Sequence, residues 1–279
     1  LHDKSYRPDI DGLRAVAVLA VVIFHAFPAT ISGGFVGVDI FFVISGFLIT
    51  SILLKETTTG QFSIVKFYVR RIRRIFPALL VVLFFTFLVG WLLFLPSDFF
   101  QLSKNTVAST LFAANLLLAK GKGYFDTSET LNPLLHLWSL GVEEQFYIFW
   151  PVLLFIVARV RIRLMPVLAV LAIGSFAFNI WGTHAFAGPN FYNPVSRFWE
   201  LLAGAFLAQL QIQGYKPSAI ISRGASVLGV ALIALSLFWI DDSALFPGWW
   251  ALLPVAGSAL IIFAGADSIV NSAILAKRP

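Results

Sequence analysis

Hydrophobic positions in this chain come in long runs, without the strict alternation of half-buried strands. The runs cover about 12–28, 34–54, 75–95, 134–158, 164–181, 195–212, 224–240 and 249–266. Several approach the roughly 20 apolar residues that a helix needs to cross a bilayer. A ninth run, about 99–119, is interrupted by Lys104, Asn105 and Asn115. The pattern predicts an all-α fold, a polytopic transmembrane helical bundle. No repeat or extended linker divides it, so residues 1–279 are expected to form one membrane domain.

Composition supports lipid as the solvent. The chain is 59% hydrophobic and 12% charged, with 29 Phe and 8 Trp, against about 45–50% apolar and 25% charged in soluble domains. With no cysteine, disulfides, thiolate catalysis and cysteine metal sites are excluded.

The net charge of +6 does not point to nucleic acid, because the basic residues cluster between apolar runs. Segments 1–11, 55–74, 159–163, 213–223 and 267–279 hold 15 of the 20 Lys and Arg. Segments 29–33, 182–194 and 241–248 hold none, and 96–133 holds Lys104, Lys120 and Lys122. Lys and Arg favour the cytoplasmic side. The expected topology is therefore about eight crossings with a cytoplasmic N-terminus, the ninth run forming an interfacial or re-entrant helix.

Several ionisable residues lie within or at the edge of the apolar runs: Arg14, His25, Asp39, His136, Glu143, Glu144, Arg197 and Glu200. Such groups usually face a protein interior or a wet cavity. Arg14 and His25, 11 residues apart, lie on nearly the same helix face and about 16 Å apart along the axis. Arg14 is expected near the cytoplasm and His25 in the outer half, with Asp39 at a similar depth. Glu143 and Glu144 should lie about 10–12 Å deeper than His136. Arg197 and Glu200 are one turn apart. In "FYVRRIRRIFPAL", Arg70 and Arg73 are one helical turn apart, as are Arg71 and Arg74. Either pair would make a forked guanidinium site for phosphate.

Each signal has a plainer explanation. The arginines can be membrane anchors, His25 a neutral interhelical hydrogen-bonder, and Arg197 and Glu200 a mutual ion pair. The glycines of "SGGFVGVD" fit no phosphate loop, and Gly33 and Gly37 are better read as sites of close helix packing. Taken together, the charges suggest a path across the membrane, with a cationic entrance inside and a polar cluster in the outer half.

Five blocks carry a resemblance. "YRPDIDGLRAVAVLAVVIFHAF", "GGFVGVDIFFVISGFLIT", "FYVRRIRRIFPALL", "LLHLWSLGVEEQFYIFWPVLL" and "SRFWELLAGAFLA" resemble, in order, those of the acyltransferase-3 family of bacterial membrane O-acyltransferases. The O-antigen and peptidoglycan O-acetylase branch is the nearest in look. The resemblance implies transfer of an acyl group, usually acetyl, from a cytoplasmic donor to a glycan hydroxyl outside the cytoplasmic membrane. Acetyl-CoA is then the implied co-substrate, with no tightly bound cofactor. Arg14 with Arg70, Arg71, Arg73 and Arg74 would hold the donor's phosphates. His25 would act as base or nucleophile, oriented by Asp39 or by Glu143 and Glu144. His136, Arg197 and Glu200 would meet the acceptor. No ligand spacing supports a metal site. Family members continue into further helices, and many into a periplasmic hydrolase-like domain. This sequence is therefore expected to be C-terminally truncated.

Three rivals need weighing. A proton-coupled exporter would also use buried carboxylates and histidine, but it needs no phosphate-binding arginines. A non-catalytic scaffold would tolerate loss of His25. A lipid acyltransferase of the His-x4-Asp type is excluded, because Thr30 follows His25 and Gly141 follows His136 at the required spacing.

Overall fold

The computed structural model describes residues 7–27, 30–121, 123–126 and 131–276. Lys122, counted above among the outer cations, lies outside the described residues. Every regular element among the described residues is helical.

Helix α1 (Pro8–Ala26) opens with Pro8, followed by Asp9 and Asp11 in its first turn. Proline is preorganised for a helix start, and acids suit the positive end of the dipole. A short turn (Gly34–Val36) leads into α2 (Gly37–Thr58). Helix α3 (Ile64–Leu93) has 30 residues, or about 45 Å. It starts well before the apolar run, so the "RRIRR" segment is part of the helix, as the good helix propensity of arginine allows. Helix α4 (Pro96–Thr110) and the short α5 (Ala114–Leu118) follow. The ninth run is thus broken at residues 111–113, and α4 is about 22 Å long, short of a bilayer core. Then come α6 (Leu137–Val160), α7 (Leu164–Ala185), α8 (Ala187–Tyr192), α9 (Pro194–Ile212), α10 (Ala219–Trp239) and α11 (Leu252–Ala264).

Among the described residues, five helical segments are long and apolar enough to cross a membrane: Gly34–Thr58, Ile64–Leu93, Leu137–Val160, Leu164–Ala185 and Ala219–Trp239. Large exposed hydrophobics cover α3 in particular, among them Phe84, Phe85 and Trp91, as expected of a helix solvated by lipid.

The centre of the bundle is the pair α2 and α9, which share the most extensive helix interface. Small residues make it possible. A Cβ on Gly46 would sit 1.8 Å from the Leu201 carbonyl, and one on Gly204 would sit 2.0 Å from that of Val43. A Cβ on Gly33 would sit 2.1 Å from the Ser236 carbonyl oxygen, and one on Gly37 would sit 2.5 Å from that of Ala17. The main hydrophobic core runs from α1 through α2, α6, α9 and α11. Leu79 and Leu83 of α3 belong to a separate small cluster with Leu102, Leu134 and Leu137.

The start of α1 is tied to the other end of the chain. Arg7 donates twice to Asp9, at 2.8 and 2.7 Å, and Asn271 Nδ2 donates to the same carboxylate at 2.9 Å. A Cβ on Gly12 would collide with the Leu275 carbonyl, so α1 is gripped where it begins.

Candidate active site

Two cavities lie at opposite ends of α1. The first, about 180 Å³, is lined by Arg14 of α1, Ser45 of α2, Arg71 and Arg74 of α3, and Glu143, Glu144 and Tyr147 of α6. Helical spacing puts Arg71 and Arg74 on one face and turns their neighbours away. Arg70 donates instead to Glu56 at 2.6 Å, and Arg73 does not line the cavity. Of the two pairs that the sequence left open, Arg71 and Arg74 are the one facing the cavity.

The cavity wall is already ordered. The Arg71 guanidinium lies over the Tyr147 ring, 3.9 Å from its centroid, a cation–π contact. The hydroxyls of Ser45 and Tyr147 both meet Glu143 Oε1. Glu144 is buried, and its Oε1 has no hydrogen-bond partner among the described residues. Three guanidinium groups and two carboxylates line the cavity, and a third carboxylate, Asp11, lies 3.4 Å from Arg14.

The second cavity, about 380 Å³, is lined by Phe24, His25, Ser32, Tyr124, Phe125, Leu135 and Asp242. His25 Nδ1 lies 2.8 Å from the Val21 carbonyl. A carbonyl can only accept, so Nδ1 carries the hydrogen and Nε2 of the neutral ring is left with its lone pair. Nε2 in turn lies 3.3 Å from the Tyr124 hydroxyl, which therefore donates to it. Ser32 Oγ is committed to the Ile240 carbonyl at 3.0 Å. His136 is exposed by surface area, yet neighbouring atoms crowd its ring. That desolvation, with the unfavourable proximity of a second titratable ring in His25, holds its pKa below the ordinary histidine value.

The expected carboxylate partners of His25 lie elsewhere. Glu143 and Glu144 line the arginine cavity. Asp39 is sealed, with Arg197 and Glu200, in the α2–α9 interface. There the Arg197 guanidinium forms ion pairs with Asp39 Oδ1 at 3.2 Å and Glu200 Oε1 at 2.9 Å, and all three side chains are 0% exposed. The rings of Phe42, Trp138, Phe191 and Phe246 surround the guanidinium at 5.5–5.6 Å. Sequence spacing could not show which way Asp39 faced. The close α2–α9 packing turns it toward Arg197, away from either cavity. A buried charge cluster of this kind holds helices in register when its partners are complete, and breaks badly when one is lost.

A third cavity, about 560 Å³, is lined by Arg163, Leu164, Met165, Pro166, Gln209 and Gln213. It brings together none of the expected catalytic residues.

Sequence reasoning missed Tyr124, Asp242, Ser45 and Tyr147. The first two lie in loops, where no periodicity assigns a direction. Ser45 and Tyr147 sit in apolar runs where a hydroxyl raises no alarm.

The fold and the cavities define a multi-pass helical membrane protein. A cationic pocket lies at one end of its first helix and an imidazole pocket at the other. The family model for acyltransferase-3, described as an acyltransferase domain, matches residues 7–275. The chain belongs to that family. A Haemophilus influenzae protein, described as uncharacterized, is 37% identical over 238 residues, which is 80% of this chain and 96% of that one. O-acetyltransferase OatA of Staphylococcus aureus is 32% identical over 302 residues, covering 100% of this chain and 48% of that protein. The chain thus spans nearly all of one relative and about half of the other. No solved structure matches it.

Proposed function

We propose that this protein is a membrane O-acyltransferase that moves an acetyl group from acetyl-CoA on the cytoplasmic side to a hydroxyl of an extracytoplasmic glycan. The observation that carries the reading is the division of labour along α1. Arg14, Arg71 and Arg74 face one cavity, and the His25 imidazole, with Nε2 beside the Tyr124 hydroxyl, faces the other. The helix rise between Arg14 and His25, about 16 Å, suits a donor anchored by phosphates at one end and presenting a thioester at the other. The name of the Staphylococcus relative supports acetyl transfer to oxygen.

The residues support a simple sequence. Arg14, Arg71 and Arg74 bind the donor's phosphates by charge-assisted hydrogen bonds. His25 Nε2 takes the proton of the acceptor hydroxyl as its oxygen attacks the acyl carbonyl carbon. The C–S bond then breaks, and the leaving thiolate recovers the proton from the imidazolium. An ester and a free thiol result. Phe24, Phe125 and Tyr124 offer aromatic surface to a sugar ring, and Asp242 offers an acceptor for its other hydroxyls.

In this reading the protein sits in the bacterial cytoplasmic membrane. It crosses about eight times, with its N-terminus inside and α4 and α5 near the outer surface. Lipopolysaccharide O-antigen, peptidoglycan and exopolysaccharide all supply suitable hydroxyls. A proton-coupled exporter gains nothing from a phosphate-sized cationic cavity.

The test uses inverted membrane vesicles from cells expressing the protein, supplied with acetyl-labelled CoA on the cytoplasmic face. Label should reach lumenal glycan with wild type and not with His25→Ala. Equal labelling by both would remove His25 from the mechanism, and none by either would favour the exporter.

A further inference from the structure

Acyl transfer needs more than a base. As the acceptor oxygen adds to the carbonyl, negative charge develops on the carbonyl oxygen, and a preorganised donor aimed at it is among the largest contributions to catalysis. Nothing so far supplies one. The donor must come from the cavity of His25, within reach of the atom that Nε2 deprotonates.

Among the described residues, the side chains lining that cavity leave one candidate. Phe24, Phe125 and Leu135 have no polar side-chain atoms. Ser32 Oγ already donates to the Ile240 carbonyl. Asp242 would repel an oxyanion when ionised. The Tyr124 hydroxyl lies 3.3 Å from Nε2, where a reacting group engaged by His25 would sit.

Its ring is also held rigidly, as electrostatic preorganisation requires. It is 6% exposed. It stacks on Phe191 at 4.5 Å with a 16° tilt, and it meets Phe125 and Trp138 edge-on. Burial pushes the phenol's pKa above its ordinary value, so the hydroxyl keeps its proton and stays a donor at neutral pH.

We infer that Tyr124 is a further catalytic residue, the hydrogen-bond donor to the oxyanion of the acyl-transfer step. Its O–H lies on His25 Nε2. An incoming acceptor hydroxyl takes that place, donates its own proton to Nε2 and attacks. The displaced Tyr124 O–H then donates to the carbonyl oxygen as the tetrahedral centre forms, and keeps its proton when that centre collapses and the C–S bond breaks. Tyr124 thus occupies the acceptor's position before substrate arrives and stabilises the product of attack afterwards.

This inference rests on the acyl-transfer reading, and one experiment separates the two. Wild type and Tyr124→Phe are compared in the vesicle assay, and acyl-CoA binding is measured on the same preparations. Phenylalanine keeps the stack on Phe191 and removes only the hydroxyl. The expected result is a kcat lower by about 10²–10³-fold, the usual loss for one oxyanion donor, with donor binding and thermal stability at wild-type levels. An unchanged kcat overturns the inference. So does a loss of transfer matched by an equal loss of donor binding, which would mark a packing role. Transfer absent from wild type itself would fail the underlying reading and this inference with it.

Discussion

The two ends of α1 solve opposite problems with different materials. The Arg14 cavity is built from four helices and crowded with charge: three guanidinium groups, two carboxylates and two hydroxyls. The His25 cavity is walled by aromatic rings, and its imidazole is oriented by a backbone carbonyl and a phenol. A binding site for a polyanion needs fixed positive charge, with counter-charges that keep it soluble in lipid. A proton-transfer site needs one lone pair aimed correctly. The contrast shows why acidic residues in an apolar run need not serve the nearest histidine.

If the cavities divide binding from chemistry, their variants should separate. The largest effect belongs to His25→Ala. Transfer should fall by the 10²–10⁴-fold typical of a lost general base, with donor affinity unchanged. An equal loss of both would erase the distinction.

Arg197→Ala should break the molecule rather than either site. It leaves Asp39 and Glu200 buried without their cation, at a cost of about 3–5 kcal/mol. Glu200→Gln removes one of two negative charges and should cost less. Thermal unfolding in detergent checks both. Normal stability with lost activity in Arg197→Ala would return the cluster to the active site.

Arg71→Ala combined with Arg74→Ala should weaken donor binding about 10–100-fold, since hydrogen bonds to charged groups contribute about 1.5–3 kcal/mol each and exposed arginines are screened. The maximal rate at saturating donor should survive. Arg73→Ala, on the opposite face, should have little effect. Comparable losses from both would mean that the helix attracts the donor only by its overall charge.

The smallest effect concerns pH. His136 has a folded-state pKa below the ordinary histidine value, so the unfolded chain binds more protons as pH falls past that value. Stability should therefore drop between pH 7.5 and 5.5, and His136→Gln should drop less. Identical slopes would show that crowding around His136 has no thermodynamic weight.

Much of this arrangement was legible before the structure. Long apolar runs announce helices because lipid leaves few alternatives. The spacing of Arg14 and His25 announced a shared face, because helical periodicity is local. What remained hidden depends on partners distant in sequence. Asp39 pairs with Arg197 because Gly46 and Gly204 let two helices touch, which no run length records. The orienting partner of His25 is the Val21 carbonyl, and every residue has one. Tyr124 sits in a loop, where the chain's direction is set by packing against Phe191. The arginine block predicted two equivalent pairs, and only the position of α6 distinguishes them.

The central claim is that donor binding and acyl transfer reside at opposite ends of α1. The most direct test measures acetyl-CoA binding and acetyl transfer side by side in His25→Ala and in the Arg71→Ala, Arg74→Ala double variant. The account predicts that His25→Ala binds acetyl-CoA like wild type and transfers nothing, while the double variant binds weakly and transfers when donor is saturating. Loss of acetyl-CoA binding in His25→Ala, with the arginine variant unaffected, would contradict it.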